Sequence, residues 1–485
     1  MSTASERESR RDVIWFAAAS FVVVGIASWP WLARFGTALA DPGSLNDVSA
    51  AADARLLAWV LAWNAHAAWT QPLHWFDANI FHPARNMLAG SESLLGLLPL
   101  SLPVSALARD AVLAANVTTW LTYPAAAIAM YAYLRRASLT PVACAVGALL
   151  FCFGPYRLPA DIRVLQLPCF FLPLLALAVQ ASRPGRRVWL PVVALLALTS
   201  SLYMAAMSGI VLVVELAFAL RTRGVRETAW LVVSLLPIVP LLVIAQRPYV
   251  EQAATMPATL DPLLRADVVA AATWGALAAG TVAWRSSVLV ACALGLVGLL
   301  APLRRRSPLD PSWWRALAYV VIGTLIAAGP TLHVFGMDLP LPVRLFSGTP
   351  LAALRAFPRF LVLASLGVCS FAAAGAAGLV AAVRSRAPSR ALAPAVTLGL
   401  LLVATVPGAL AMLSSPLSDV DLAAHPDVDR ILAASDGAVL EIPPPLPGPF
   451  SSVPTCRRTS CFAARVTGVR WSMATPGTRR GGTQH

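Results

Sequence analysis

The stretch that decides the fold is residues 108–136, ARDAVLAANVTTWLTYPAAAIAMYAYLRR. Its apolar part, 108–134, exceeds the roughly 20 residues that a helix needs to cross the hydrocarbon core of a bilayer. Arg135 and Arg136 follow directly, and arginines at the end of such a run favour the cytoplasmic side of a membrane. The stretch therefore predicts a membrane-spanning helix and also the side on which it ends.

The same pattern is repeated along the chain. The apolar spans that we predict are 12–35, 108–134, 139–155, 164–181, 188–203, 205–220, 228–245, 286–303, 315–332, 359–383 and 391–413. These spans predict an all-α integral membrane protein with about eleven transmembrane helices, in which 1–413 is one transmembrane domain. The two short spans on either side of 200–203 are alternatively a re-entrant hairpin.

Arginines set the predicted side of each connection. They stand before the first span and then after every second one, at 7, 10 and 11; 135 and 136; 183, 186 and 187; 221, 223 and 226; 304 to 306 and 315; and 384, 386 and 390. The positive-inside rule places the N-terminus and these short connections in the cytoplasm. The connections 36–107, 246–285 and 333–358 then lie outside, as do the tail from 414 and the C-terminus.

The composition is also that of a membrane protein. The chain is 58% hydrophobic and 12% charged, with a mean hydropathy of +0.71, and so many apolar side chains exclude a soluble fold of 485 residues. About half of the 37 basic residues are the flanking arginines, so the net charge of +14 reflects topology and not nucleic-acid binding. We predict that the basic N-terminal segment leads into a retained first span, with a signal peptide as the alternative.

The connection 36–107 is the first predicted outer loop. From about Ala51 it has a helical pattern, in which Leu57 and Leu61 share an apolar face beside a stripe that includes Trp63. This pattern predicts a helix lying in the membrane interface with its tryptophans at headgroup depth. Asp53 stands at the start of this helix, where its carboxylate either faces an aqueous cleft or simply caps the helix.

Further acids and histidines follow in the same loop. Ser91 and Glu92 have the pattern of a helix start, with Ser91 as the cap and Glu92 in the first turn, and Glu92 is also a second candidate acid. Asp77 is typical of an Asx-type turn. The histidines at 66, 74 and 82 are eight residues apart, a spacing without meaning for a metal on one helix, so a zinc site is not predicted.

Four segments of the chain carry a resemblance to known proteins. They are 53–66 (DARLLAWVLAWNAH), 72–83 (PLHWFDANIFHP), 153–158 (FGPYRL) and 355–360 (RAFPRF). Over about 45 to 375 the chain resembles bacterial membrane proteins related to the GT-C glycosyltransferases. The resemblance implies a GT-C-like bundle in the inner membrane. It also implies hexosyl or pentosyl transfer from a polyprenyl-phosphate carrier to an acceptor on the outer face.

The resemblance also implies a site. GT-C enzymes place an essential aspartate in the first outer loop, and Asp53 is the matching position here, as general base or as ligand of a divalent cation, Mg or Mn. The carrier phosphate needs cationic partners, and arginine suits two-pronged contact with phosphate. The candidates are Arg157, Arg163, Arg355 and Arg359. The alternative is that these arginines are interfacial anchors whose side chains snorkel to the headgroups.

Two other functions stay open. Relatives usually carry His where this chain has Arg163, Tyr where it has His82, and Asp or a small residue where it has Asn64, so a noncatalytic homologue is one alternative. The other is a transporter or flippase for a lipid-linked glycan, which would keep ionisable residues within the membrane. Glu215 is the acid that lies well inside a predicted span, but most charge lies at the outer surface, which favours chemistry there.

The tail from 414 is predicted to begin a small outer α/β segment. Residues 414–450 include GAVLEIP at 437–443, which is typical of a strand followed by a proline-rich stop. From about 451 the hydrophobic periodicity is lost. We predict that 451–485 is a disordered or out-of-frame tail, left by a frameshift near residue 450 that truncates the outer segment.

Overall fold

The structure is a computed structural model of the 485-residue chain. It describes residues 3–40, 48–81, 83–108, 110–154, 168–182, 189–255, 282–305, 310–334, 337–346, 354, 356–386, 391–415 and 417–419. The predicted strand at 437–443 and the predicted tail 451–485 lie outside these residues.

The described part of the chain is mostly helical. The helices are α1 (Thr3–Ala27), α2 (Trp29–Leu32), α3 (Val48–Thr70), α4 (Leu98–Ala108), α5 (Ala111–Arg135), α6 (Pro141–Cys152), α7 (Phe171–Ala181), α8 (Trp189–Leu198), α9 (Leu202–Arg223), α10 (Val225–Leu235), α11 (Val239–Thr255), α12 (Val282–Arg305), α13 (Pro311–Ala327), α14 (Leu361–Arg386) and α15 (Leu392–Leu413). Short 3₁₀ turns at Pro72–His74, Met87–Gly90, Leu95–Leu97, Leu236–Ile238, Pro342–Phe346 and Phe357–Phe360 connect them.

Helices occupy the positions of the predicted spans. Five segments within the described residues are long and apolar enough to cross a membrane: Ala111–Arg135, Leu202–Arg223, Val225–Gln252, Phe357–Ser385 and Leu392–Leu413. Other apolar helices, such as α6, α7 and α8, have only 10 to 17 residues. The mostly helical character is therefore confirmed for the described residues, and their long apolar helices are those of a membrane-type protein. Eleven crossings and a GT-C-like bundle stay predictions.

Two short antiparallel pairs are the strands of the described residues. β2 (Thr331–Val334) pairs with β3 (Met337–Pro340) in a hairpin. β1 (Ala38–Ala40) pairs with β4 (Leu417–Asp419), with Leu39 opposite Ser418. β1 begins the first predicted outer loop and β4 lies in the tail, so two segments that are both predicted to be outside lie at the same end of the molecule.

The connections predicted to be cytoplasmic also meet one another. Arg135 Nη2 lies 3.1 Å from Asp12 Oδ2, which joins the N-terminal helix to the end of α5. Arg136 Nη2 and Arg223 Nη2 both donate to the Gln180 carbonyl, at 3.3 and 2.6 Å. The N-terminal helix and the ends of α5, α7 and α9 thus lie at one end of the molecule, as the arginine pattern predicts. The assignment of that end to the cytoplasm remains a prediction of the pattern.

α14 packs closely against α12 because glycines let the two backbones touch. A Cβ on Gly298 would lie 1.9 Å from the Phe371 carbonyl oxygen, and a Cβ on Gly375 would lie 2.1 Å from the Leu294 carbonyl oxygen. Lipid tails are as apolar as the side chains, so association of membrane helices depends on such close contact. These glycines therefore define the α12–α14 interface.

Replacing Gly298 with alanine is expected to destabilise the protein by about 1–3 kcal/mol, because the added methyl group has to push two backbones apart. Gly378→Ala is the matched control, since a Cβ there meets no atom within 4 Å. This control is expected to be neutral or slightly stabilising, given the higher helix propensity of alanine. Thermal unfolding in detergent measures both variants, and equal unfolding temperatures would contradict the packing described.

Candidate functional site

α3 is the scaffold of the first predicted outer loop, and its apolar face is covered by other elements. Leu57 and Leu61 are fully buried, and Trp63 is buried with its Nε1 donating to the Trp75 carbonyl at 2.8 Å. The predicted helix is confirmed. Trp63 is covered by protein, whereas Trp59 and His66 of the same stripe are half-buried. The apolar face therefore packs α3 against the rest of the protein, and the depth of this helix in a membrane stays a prediction.

A polar chain fixes the part of the loop that contains Glu92. Asn64, which is fully buried, donates from Nδ2 to the Ser93 carbonyl at 2.7 Å and accepts from Trp75 Nε1 at 2.9 Å. The backbone N–H of Ser93 in turn donates to the Tyr249 hydroxyl at 2.9 Å. Buried polar groups that are all hydrogen-bonded confer rigidity, so these contacts set the direction of the neighbouring Glu92 side chain.

Glu92 lies at the start of α9. Its Oε2 accepts a hydrogen bond of 2.7 Å from the backbone N–H of Leu202, the first residue of that helix. Ser201, the residue before it, accepts from the Met204 N–H at 3.1 Å. The expected role of Glu92 in a helix capped by Ser91 is wrong, because the structure has no helix at these positions. Glu92 instead caps a distant helix, where the helix dipole favours negative charge.

Arg359 supplies positive charge beside this carboxylate. It lies in the 3₁₀ turn Phe357–Phe360, and its guanidinium carbon stacks 4.5 Å from the ring centroid of Tyr203. The Tyr203 hydroxyl accepts from the Ala356 N–H at 2.9 Å, which ties the turn to α9. Arg359 Nε is buried without a hydrogen-bond partner among the described residues. The guanidinium is thus held in place by stacking, and its donors are left for another group.

The surroundings of Glu92 shift its proton affinity. Burial raises the pKa of this carboxyl, and the hydrogen bond from Leu202 and the charge of Arg359 oppose the rise without cancelling it. The shift favours the protonated form of Glu92 relative to an ordinary glutamate. The site thus combines a carboxyl of altered proton affinity with an arginine whose Nε has no hydrogen-bond partner among the described residues.

The Glu92→Gln variant tests this environment. Because the folded-state pKa is raised above the ordinary 4.5, the folded protein holds a proton at Glu92 more tightly than the unfolded chain does. The difference in the free energy of unfolding between the wild type and Glu92→Gln is therefore expected to change with pH. The wild type should lose stability relative to the variant as the pH rises from 4.5 past the raised pKa of the folded protein. Thermal unfolding over a pH series measures this difference, and a difference that grows with pH would contradict it.

The other predicted site residues are described only in part or not at all. The backbone of Asp53 is the sixth position of α3, too far into the helix to be its N-cap residue. The Asp53 side chain lies outside the described residues, as do Arg157, Arg163 and Arg355. Asp77 accepts from the Asn86 N–H at 2.9 Å, so it bridges two parts of the loop and does not form the expected local Asx turn.

No group of three or more His, Cys, Asp or Glu side chains that could hold a metal is found in the described part of the chain. Glu92 already uses one oxygen on Leu202. The described residues alone therefore do not make a Mg or Mn site, and the predicted cation remains tied to Asp53.

A second polar cluster lies inside the bundle around Glu215 of α9. The buried carboxylate accepts from Gln180 Nε2, at 3.1 and 3.2 Å, and from the Tyr319 hydroxyl at 2.8 Å. Arg315 Nε lies 3.4 Å from Glu215 Oε2. The cluster joins α7, α9 and α13, and side chains of the protein itself bind the Glu215 carboxylate. A carboxylate with so many partners within the protein is typical of a residue that stabilises helix packing. It does not favour the transporter alternative, in which the acid would have to bind a substrate or an ion.

No protein-family model matches the chain, and no curated protein matches it.

The residues that sequence reasoning missed are those that link distant elements. Tyr203, Tyr249 and Asn64 position Arg359 and Glu92 through contacts across the fold. In the sequence, Asn64 stands out as a departure from relatives. Its place amid apolar residues of a helix was the available signal, because a buried amide needs partners.

Proposed function

We propose that this protein is a membrane glycosyltransferase of the GT-C type. It would transfer a hexosyl or pentosyl group from a polyprenyl-phosphate carrier to an acceptor on the outer face of a bacterial inner membrane. The observation that carries the proposal is the meeting of Glu92, the N-terminus of α9 and Arg359 at one end of the molecule. The resemblance predicts a cleft of this kind between the first outer loop and the outer ends of the spans.

Charge balance supports a phosphate ligand at this place. When the sugar leaves its carrier, negative charge develops on the lipid phosphate, and a fixed cation lowers the barrier by stabilising that charge. Arg359 is suited because its guanidinium is oriented on Tyr203 while its Nε has no partner among the described residues. Glu92 neutralises the α9 N-terminus instead of pairing directly with a cation. We propose Arg157, Arg163 and Arg355 as further phosphate ligands.

The acceptor proton needs a base. We propose Asp53 for this role, or for holding a divalent cation against the carrier phosphate, and Glu92 as the second acid. The raised pKa of Glu92 supports proton exchange, whereas its bond to Leu202 supports a positioning role. Both roles require the first loop to be held in place, and the burial of Leu57, Leu61 and Trp63 of α3 supports this.

The Arg359→Ala variant tests the proposal without knowledge of the acceptor. Purified protein in nanodiscs is titrated with polyprenyl phosphate that carries no sugar. Loss of a charged hydrogen-bond donor is expected to weaken binding by about 10- to 100-fold. Arg359→Lys is expected to recover part of this loss, because the charge is kept while the two-pronged geometry is lost.

Arg344→Ala is the matched control. Arg344 lies on the same predicted outer side, but its Nε donates to the Pro330 carbonyl at 3.2 Å and its Nη2 donates to Thr331 Oγ1 at 2.9 Å. Its donors are thus already used within the chain, and polyprenyl phosphate affinity is expected to stay unchanged. Equal affinities for Arg359→Ala, Arg344→Ala and the wild type would reject Arg359 as a phosphate ligand.

A further inference from the structure

A groove opens between α9 and α13 at the end of the molecule opposite Glu92. Its volume is about 420 Å³, and it is lined on one side by Phe218 and Arg221 and on the other by residues of α13 that include Trp314, Leu317 and Val321. Arg221 lies in the last turn of α9. The wall is thus apolar along its length and carries a guanidinium at one end.

Arg221 has no partner within the described residues. Its side chain is exposed, and neither a hydrogen bond nor an ion pair joins it to another described residue. By contrast, the nearby Arg223 is used by the chain, since its Nη2 donates to the Gln180 carbonyl at 2.6 Å. Arg223 therefore links α9 to α7, whereas Arg221 lies at the mouth of an apolar groove.

A second cation lies behind the groove wall. The Arg315 guanidinium carbon is 5.1 Å from the ring centroid of Phe218, and its Nε is buried without a hydrogen bond, although Glu215 lies 3.4 Å away.

Two acids lie near the same end of the described residues. Asp310 caps α13 by accepting from the Ser312 N–H at 2.7 Å, and Glu227 acts on the charge of Arg223. Neither forms an ion pair with Arg221 in the described part of the chain.

We propose that this groove holds one anionic phospholipid, with its phosphodiester on Arg221 and an acyl chain along Phe218, Leu317 and Val321. Apolar walls with a terminal guanidinium match a molecule that is itself apolar with an anionic end. α9 is long and apolar enough to cross a membrane, so its last turn lies at headgroup depth. Trp314, which is 46% exposed at the same level, suits that depth as well.

Such a lipid would act as a bound structural partner of the bundle. It would cover the seam between α9 and α13, next to the Glu215 cluster that joins the same two helices. The site needs neither the sugar nor the carrier, and it is independent of the proposed transferase activity.

The test uses native mass spectrometry of the full chain, exchanged into nanodiscs that contain phosphatidylcholine with or without phosphatidylglycerol. We expect one phosphatidylglycerol to stay bound to the wild type. Arg221→Ala is expected to weaken this binding about tenfold, as for one charge-assisted hydrogen bond. Ala318→Trp, which fills the groove and leaves the charge unchanged, is expected to weaken it as well. Arg226→Ala is the matched control, because Arg226 is exposed near the same end but does not line the groove.

Three outcomes would overturn the proposal. An equal loss in Arg221→Ala and Arg226→Ala would show general surface attraction. Undiminished binding in Ala318→Trp would show that no acyl chain enters the groove. Competition by soluble glycerol phosphate at the same concentration as the lipid would show a site for a free anion. Thermal unfolding of each variant is also measured in nanodiscs of phosphatidylcholine alone. An unfolding temperature equal to that of the wild type shows that a loss of lipid binding does not come from a loss of folding.

Discussion

The Asp53→Asn variant is expected to lose sugar transfer by about 10²- to 10⁴-fold, the range associated with removal of a general acid or base. Under the proposed function the lipid-linked donor should accumulate, because it is made but not consumed. The measurement is mass-spectrometric profiling of lipid-linked sugars and surface glycans in the native host. Asparagine keeps the size of the side chain, so the change tests the carboxylate alone.

Asp77→Asn is the matched control in the same loop. The Asp77 carboxylate accepts a hydrogen bond from the Asn86 N–H at 2.9 Å, and the amide oxygen of asparagine can accept the same bond. Transfer is therefore expected to persist in this variant. Normal glycans and normal donor levels in Asp53→Asn, with the protein inserted in the membrane, would reject the transferase proposal.

The Glu215→Ala variant is expected to be destabilised by about 3–5 kcal/mol, which is typical when one partner of a buried ion pair is removed. The change leaves Arg315 without its counter-charge and takes the acceptor from Gln180 and Tyr319. Thermal unfolding in detergent and the yield of folded protein measure the effect. We expect a lower unfolding temperature and a lower yield.

Two further variants separate a buried clamp from a functional acid. Replacing Glu215 and Arg315 together with leucine is expected to recover much of the stability, because well-packed apolar residues often substitute for a buried pair. Glu227→Ala removes an exposed glutamate of the neighbouring α10 and should cost less than about 1 kcal/mol. A fully stable Glu215→Ala protein would contradict the structural role.

The candidate site shows where local sequence patterns are insufficient. Ser91 followed by Glu92 has the pattern of a helix start, yet Glu92 caps α9, 110 residues further along the chain. A carboxylate satisfies the N–H groups of a distant helix as well as those of its own, and sequence spacing does not distinguish the two. Arg359 was predicted by resemblance, but its orientation on Tyr203 required packing of a separate turn against α9.

For α3, the sequence predicts the helix but not what surrounds it. The sequence predicts the helical periodicity of α3, and it also predicts that the tryptophans beside the apolar face are interfacial anchors. In the structure Trp63 is buried, and its Nε1 donates to the Trp75 carbonyl of the same loop. Tryptophan suits both a headgroup layer and a core with a hydrogen-bond acceptor, so composition alone does not decide between them.

The sequence by itself determined the mostly helical, apolar character of the chain and the approximate positions of most of its helices, although not α4 (Leu98–Ala108). Both follow from local properties, namely the length of an apolar run and the exclusion of arginine from it. Only the tertiary structure decided which polar groups meet, such as Glu92 with Leu202 or Glu215 with Arg315. These pairs form because helices far apart in sequence pack side by side, and packing depends on the fit of whole surfaces, which no single segment encodes.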